Sequence, residues 1–300
     1  MMIESQEVAS QRMSPTRPMY WSIRREIWEN RSIYAAPVVT ACIMLFGFLV
    51  SLFTLPRRIN AAMAGGAGKL HGVIEMPYDM TAGLILMTSF LVGVFYCLDT
   101  LYGERRDRSI LFWKSLPVSD RTAVLAKASI PLAIMPLLIF VIIVIMQSLM
   151  LLLTNMLLLM HGMAPTTAAQ LPMFSRFLLL LYGLITIALW HAPLYAWLLL
   201  VSGWAKRVTY LWALLPPLLL AGVEKIAFNT SHIGMLLRYR LIGGFTEAFV
   251  IHPRGTPPSS APPQITPLHF LGTPGLWLGL LFAALCLAAA ARLRRLREPI

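Results

Sequence analysis

The stretch YGERRDRSILFWKSLPVSDRTAVLAK, residues 102–127, lies between two long apolar runs and decides how the rest of the chain is read. Glu104, Arg105, Arg106, Asp107 and Arg108 form a dense charged run. Ile110, Leu111, Phe112 and Trp113 follow, then Lys114, Ser115, Leu116 and the breaker Pro117. Ser119 and Asp120 can cap a helix that leads into the next apolar run. A charged run beside an aromatic-aliphatic knob is what a docking element needs, because charges align a partner and the buried aromatic supplies most of the binding energy. A second reading stays open: the arginines only hold the loop on one side of a membrane, with Phe112 and Trp113 in the lipid interface.

The sequence on either side is membrane-spanning. Of 300 residues, 58% are hydrophobic and 13% charged, and the mean hydropathy is +0.70. No ordinary soluble domain has this composition. Apolar runs cover residues 34–55, 80–101, 128–153, 177–202, 208–228 and 274–291. Each is near or above the ~20 residues that cross a bilayer as a helix, so six spans and an all-α fold are expected, with both termini on one side.

The cations choose that side. Arg12, Arg17, Arg24, Arg25 and Arg31 precede the first span, and the 102–127 loop adds Arg105, Arg106, Arg108, Lys114, Arg121 and Lys127. Lys206 and Arg207 fill the fourth loop, and Arg292, Arg294, Arg295 and Arg297 end the chain. The cations of the other side are spread over longer loops, which places both termini in the cytoplasm. The net charge of +12 is thus a topology signal and implies no nucleic-acid partner. Cys42, Cys97 and Cys286 sit inside apolar runs without paired spacing and read as small buried hydrophobes.

Residues 1–17 are a polar lead-in with no signal-peptide pattern. Residues 20–33 are expected to form an amphipathic interface helix lying in the inner membrane surface. Tyr20, Trp21, Ile23, Ile27 and Trp28 gather on one side, and Ser22, Arg25, Glu26, Glu29 and Asn30 on the other. Arg24 and Arg31 fall on the apolar side, placed to snorkel to lipid phosphates.

The outer segment 56–79 is Gly/Ala-rich and carries GGAGK at 65–69. It fails as a phosphate loop: Met63 replaces the first glycine, Leu70 replaces Ser/Thr, and no strand precedes it. Any ATP-driven function therefore requires a second polypeptide. In the longest outer segment, 229–273, residues 232–250 are interrupted by Arg238, Arg240 and Gly243-Gly244. This suits two short helices dipping into the outer leaflet, followed by a stiff proline-rich connector at 252–267.

Ionisable residues inside spans are suspects for function, since burying one costs about 2.5–3.5 kcal/mol at mid-helix. Asp99 lies near the inner end of span two, where it can orient the loop through Arg105 or the partner helix. His191, beside Pro193, is central in span four and reads either as a neutral histidine bonded to a neighbouring helix or as a substrate or proton site. Pro131, Pro136 and Pro216-Pro217 should kink spans three and five. Gly275 and Gly279 favour close helix packing within the subunit. The six histidines lack a metal-binding spacing, and no nucleophile-base signature is present, so no catalytic and no metal residues are assigned.

The run FYCLDTLYGERRDRSILFWKSLPVSD, residues 95–120, resembles the end of the second span and the following cytoplasmic loop of bacterial ABC type-2 permeases, the membrane subunits of ABC transporters. REIWENRSIYAAP, residues 25–37, is similar to that family's N-terminal interface helix leading into span one. The resemblance implies a lead-in and interface helix at 1–33, a six-span domain at 34–292, short re-entrant outer helices between spans five and six, and a basic cytoplasmic tail at 293–300.

By the same resemblance, two such subunits, identical or not, form an exporter in the bacterial inner membrane above two ATPase subunits, which bind ATP and Mg. This chain would then be no enzyme and hold no cofactor. Residues 110–116 would be the coupling helix, with Phe112 and Trp113 as anchors flanked by Lys114 and Leu116. Arg105, Arg106 and Arg108 would be steering charges, while Glu104 and Asp107 pair either with them or with the ATPase. Trp21, Arg24, Arg25, Glu26, Trp28 and Arg31 would brace the interface. Two rivals remain: a secondary transporter, which needs mid-membrane carboxylates and inverted repeats, and a membrane-integral enzyme, which needs a convergent polar cluster.

Overall fold

The computed structural model describes residues 16–64, 67–109, 118–162, 171–249 and 265–296. Among them the chain forms helices joined by short turns, with one isolated bridge between Phe249 and Ile265. Six helices are long and apolar enough to cross a membrane: Ser32–Leu52, Gly72–Arg106, Asp120–Met160, Met173–Trp204, Thr209–Phe228 and Pro274–Leu296. The chain is a multi-pass membrane protein.

In chain order the helices are α1 (Thr16–Glu29), α2 (Ser32–Leu52), α3 (Leu55–Ala64), α4 (Ala67–Arg106), α5 (Asp120–Ser129), α6 (Met135–Met160), α7 (Met173–Trp204), α8 (Thr209–Phe228), α9 (His232–Ala248), α10 (Pro267–Gly272) and α11 (Pro274–Leu296). Ser119 starts α5 as expected: its backbone is extended and its Oγ accepts from the Thr122 N–H at 3.1 Å. The expected kink in span three takes the form of a π-helical turn, Ile130–Ile134, between α5 and α6. Pro131 and Pro136 lack the N–H groups a regular ladder needs there, and the wider turn absorbs the loss.

Span two is longer than its apolar run. Residues 56–79, expected as a loop, are helical where described, as α3 and the first part of α4. Alanine and unbranched side chains dominate this stretch and favour helix once it packs on neighbours. At 40 residues α4 is about 60 Å long, twice the hydrocarbon thickness of a bilayer. Arg176 at the start of α7 pairs with Glu75 at 3.1 Å and with Asp79, holding this projecting end.

The segment after span five also departs from expectation. Residues 232–248 form one helix, α9, which runs unbroken through Gly243 and Gly244. These glycines mark close approaches: a Cβ on Gly243 would lie 2.6 Å from the Tyr239 ring, and one on Gly244 2.7 Å from Trp190. Glu224, near the end of α8, makes the turn possible. Its carboxylate accepts from the backbone N–H groups of His232 (2.6 Å) and Ile233 (2.7 Å) and from the Thr230 hydroxyl (2.7 Å). A carboxylate there satisfies orphan donors and opposes the positive end of the α9 dipole.

The core is a ring of apolar contacts among spans one to four, centred on Ile85, Cys97, Ile143, Met150 and Leu199. α7 and α11 meet along small residues, Ala192 and Ala196 against Ala283 and Cys286, which let the backbones approach closely. Gly275 and Gly279 also pack within the chain, against Tyr239 and Arg240 of α9. α8 is the least buried of the six spans.

Candidate functional site

The outstanding polar feature is a buried ion network at the end of the bundle where α1, the end of α4, the start of α5 and the end of α11 meet. α1 lays Ile23, Glu26 and Ile27 onto the bundle, and the chain enters α2 at fully buried Ile33. Glu26, at 1% exposure, therefore lies among apolar positions, although Arg25 precedes it and Glu29 follows one turn on.

Its partner is Lys127, equally buried, in the last turn of α5. The Lys127 ammonium donates to Glu26 Oε1 at 2.7 Å and to Thr100 Oγ1 at 2.8 Å, and lies 3.1 Å from Glu104 Oε1. Those three partners match its three protons. Glu26 Oε2 accepts from the hydroxyls of Tyr96 (2.9 Å) and Thr100 (3.3 Å).

Arg25 extends the network outward, donating to Glu26 Oε1 at 2.7 Å and Glu104 Oε1 at 3.0 Å. Arg294 of α11 closes it from the other side. Its Nε and Nη2 donate to Glu104 Oε2 at 3.3 and 3.2 Å, and its Nη1 donates to Asp120 Oδ1 at 2.7 Å. Three cations (Arg25, Lys127, Arg294) thus face three carboxylates (Glu26, Glu104, Asp120). Burial alone would raise the Glu26 carboxyl. The Lys127 ammonium and the Arg25 guanidinium, by charge and hydrogen bond, override it and hold the group at about 2.

Arg105 makes a separate tie. It is 3% exposed, and its Nη2 donates to the carbonyls of Ser202 (3.0 Å) and Ala205 at the end of α7. Ser202 Oγ in return accepts from the backbone N–H groups of Leu101 and Tyr102. A guanidinium used in this way caps the last carbonyls of span four. It is not available as a surface steering charge.

Three further expectations change. Glu26, placed with the polar face, is buried, whereas Tyr20, Trp21 and Trp28 are exposed at 59%, 57% and 62%. α1 therefore turns its aromatics outward. Arg24 stacks between two of them, 5.2 Å from the Trp21 ring centre and 4.4 Å from that of Trp28. Glu104 is buried and spent on internal cations. Asp99 is exposed, while the guanidinium of Arg105 reaches the carbonyls of Ser202 and Ala205.

Arg106 and Asp107 pair with each other on the surface at 2.9 Å, and Arg108 and Arg31 are exposed. Phe112, Trp113, Lys114 and Leu116, and with them the expected coupling helix, lie outside the described residues. His191 is in the middle of α7, 5.4 Å ring to ring from Phe90. Asp99 is nine residues further along α4, about 13 Å by helical rise, so the two do not form one site.

Sequence reading missed Lys127, Arg294, Asp120, Thr100 and Tyr96 as members of one cluster. A signal was present in α1: Ile23, Glu26, Ile27, Asn30 and Ile33 follow helical spacing, and a carboxylate inside an apolar stripe calls for a buried cation. Among the described residues no group of three or more His, Cys, Asp or Glu side chains is arranged to hold a metal ion.

The network neutralises its own charge, exposes little of it and offers no open coordination or nucleophile. What it can do is mechanical. Glu104 precedes the 107–119 segment and Asp120 follows it, and Arg294 holds both. Compared with protein-family models, with curated proteins and with solved structures, the chain matches none.

Proposed function

We propose that this chain is the membrane-spanning permease subunit of an ATP-driven exporter of the ABC type-2 kind, placed in a bacterial inner membrane with both termini cytoplasmic. In this reading two permease subunits, identical or different, form the substrate path. ATP is hydrolysed with Mg on two separate ATPase subunits, and the chain itself is no enzyme. The ATPases dock on residues 110–116 of the 102–127 loop, anchored by Phe112 and Trp113.

The observation that carries the reading is the clamp at the loop's two ends. A coupling element must convert a push from its partner into movement of spans. Here Glu104 of span two and Asp120 of span three are held by one guanidinium, Arg294 of span six. Lys127 and Arg25 add α1 to the same body. Displacing the loop would move these elements together. For ATP to drive that displacement, the partner must contact the loop differently in its different states. The outward aromatics of α1, Trp21 and Trp28, suit the membrane interface beside this end. The secondary-transporter rival is less well served, since among the described residues no carboxylate lines the cavity beside His191.

The test is gentle affinity purification from native membranes, with mass spectrometry of what is recovered. The reading expects a P-loop ATPase that co-purifies with the unaltered chain and is lost with Trp113→Ala while the permease stays folded. Recovery of the six-span protein alone, under conditions that preserve such complexes, would refute it.

A further inference from the structure

A cleft of about 880 Å³ lies between α2, α3 and the first part of α4, and reaches fully buried Met150 of α6. α2 begins beside the ion network and ends here, so the cleft opens at the other end of the bundle. Its α2 wall is Met44, Gly47, Phe48 and Ser51, spaced i, i+3, i+4 and i+7 and therefore on one helical face. Met44 and Ser51 are two turns apart, so the cleft runs about 10 Å along the span. Met76 and Met80 of α4, 58% and 50% exposed, form a flank that is open to the side.

Glycine keeps the space open. Gly47 sits inside the α2 face, and a Cβ there would meet nothing within 4 Å; the same holds for Gly72 on the α4 wall. Met44, Met76, Met80 and Met150 surround the space. Their unbranched thioether chains reshape to fit hydrocarbon of varied outline. A methionine face packed shut would be ordinary core, but this one borders open volume.

One charge enters this wall. Arg58 of α3 lines the cleft at its exposed mouth and makes no ion pair among the described residues. The carboxylates of the adjoining helix, Glu75 and Asp79, are held by Arg176 and lie outside the wall. Two hydroxyls also line the cleft, but Ser51 donates to the Phe48 carbonyl at 2.7 Å and Thr81 to the Pro77 carbonyl at 2.8 Å. Their protons are engaged, so Arg58 is the one free side-chain donor of the described wall. A guanidinium stays charged in proteins, and an opposite charge beside it gains most where water is scarce. The cleft thus sets a cationic position at the end of a span above an apolar channel.

We propose that this cleft binds a lipophilic anion, an amphiphile with its carboxylate or phosphate at Arg58 and its hydrocarbon chain along Met44, Phe48, Met76 and Met150. A cationic amphiphile would meet Arg58 unopposed, since no Asp or Glu lines the cleft among the described residues. A neutral one would fill the channel and leave the guanidinium unpaired. The volume falls in the range of small-molecule sites. This binding requires no ATPase partner, so it stands or falls apart from the exporter reading.

The experiment is photolabelling of the full-length purified protein in nanodiscs of zwitterionic lipid. The diazirine-bearing probes are a long-chain fatty acid, its methyl ester, and phosphatidic acid. Adducts of an anionic probe are expected to concentrate in residues 44–51 and 72–81. Labelling by the fatty acid identifies a free single-chain anion as the occupant, and labelling by phosphatidic acid a lipid of the bilayer. Arg58→Gln should lower anion labelling about tenfold or more, the worth of hydrogen bonding to a charged group, and leave ester labelling unchanged. Gly47→Leu should fill the channel and remove the adducts. Arg58 has no ion pair to lose and position 47 has room for a side chain, so both variants keep the fold. The proposal is overturned if neither anion marks these segments, or if acid and ester mark them equally. Anion labelling indifferent to Arg58→Gln or to Gly47→Leu would also overturn it.

Discussion

At the charged end of the bundle, six ionised side chains from four helices share one site, and each has an opposite charge within 3.2 Å. At mid-depth, the cavity beside His191 has mostly apolar walls, and the Tyr195 hydroxyl makes no hydrogen bond among the described residues. The first region fixes geometry: moving any one helix would separate charges that water no longer screens. The second fixes little, because dispersion contacts around a void are weak singly and adjust without breaking a bond. A chain that must pass movement from one end to its middle needs both kinds of region, a stiff handle and a compliant interior.

Substitution should separate the two regions most clearly. Lys127→Met leaves Glu26 and Glu104 buried side by side with the more exposed Arg25 as their remaining shared cation. We expect a loss of about 3–5 kcal/mol, read as a lower unfolding temperature in detergent. Adding Glu26→Gln should recover a large part of that loss, since it removes one of the two carboxylates that would then share Arg25. At the cavity, Tyr195→Phe should cost less than about 1 kcal/mol, because the hydroxyl has no bond to lose. Equal costs at the two sites would erase the contrast.

Acid should act on the charged end next. The Glu26 carboxyl is held at about 2 against an ordinary value of 4.5. The folded state thus releases this proton more readily than the unfolded state, and the resulting stability is complete above about pH 4.5. It disappears as the pH falls toward 2. The gap corresponds to roughly 3 kcal/mol. Denaturant midpoints measured across this window should fall for the unaltered protein and fall less for Glu26→Gln; parallel curves would show that Glu26 is not held by its cations.

The smallest effects concern packing near the compliant region. Gly244→Ala would drive a methyl to 2.7 Å from the fully buried Trp190 side chain, costing about 1–3 kcal/mol. Gly222→Ala, on span five, meets nothing within 4 Å and should gain up to about 1 kcal/mol from helix propensity. Thermal unfolding of the two variants side by side checks the signs. A neutral Gly244→Ala would mean that α9 stands off span four.

These contrasts were unequally legible in the sequence. The six spans could be read because a bilayer imposes a length on every helix that crosses it, and the Ser119 cap and the span-three kink follow from local chemistry. The network could not be read in the same way. Lys127 and Glu26 are 101 residues apart, and nothing near either names the other. Lys127 and Arg294 looked like ordinary topology cations, because a positive charge at a span's end looks the same in sequence whether it meets water or a buried carboxylate. Gly243 and Gly244 suggested a break for a similar reason: the residue that permits a turn also permits a close approach, and only the position of Trp190 distinguishes them. His191 was legible as central and bonded to a neighbouring helix, but the Tyr195 hydroxyl, with no hydrogen bond among the described residues, appears only in three dimensions.

The central claim is that the charges at one end act as a single body. Its most direct test is a double-mutant cycle between Glu26→Gln and Arg294→Met, two residues joined through Glu104, Lys127 and Arg25. Unfolding free energies of the two single variants and the double variant are expected to depart from additivity by about 1 kcal/mol or more. Additivity within about 0.5 kcal/mol would mean that these are independent ion pairs, and the clamp on the 102–127 loop would not exist.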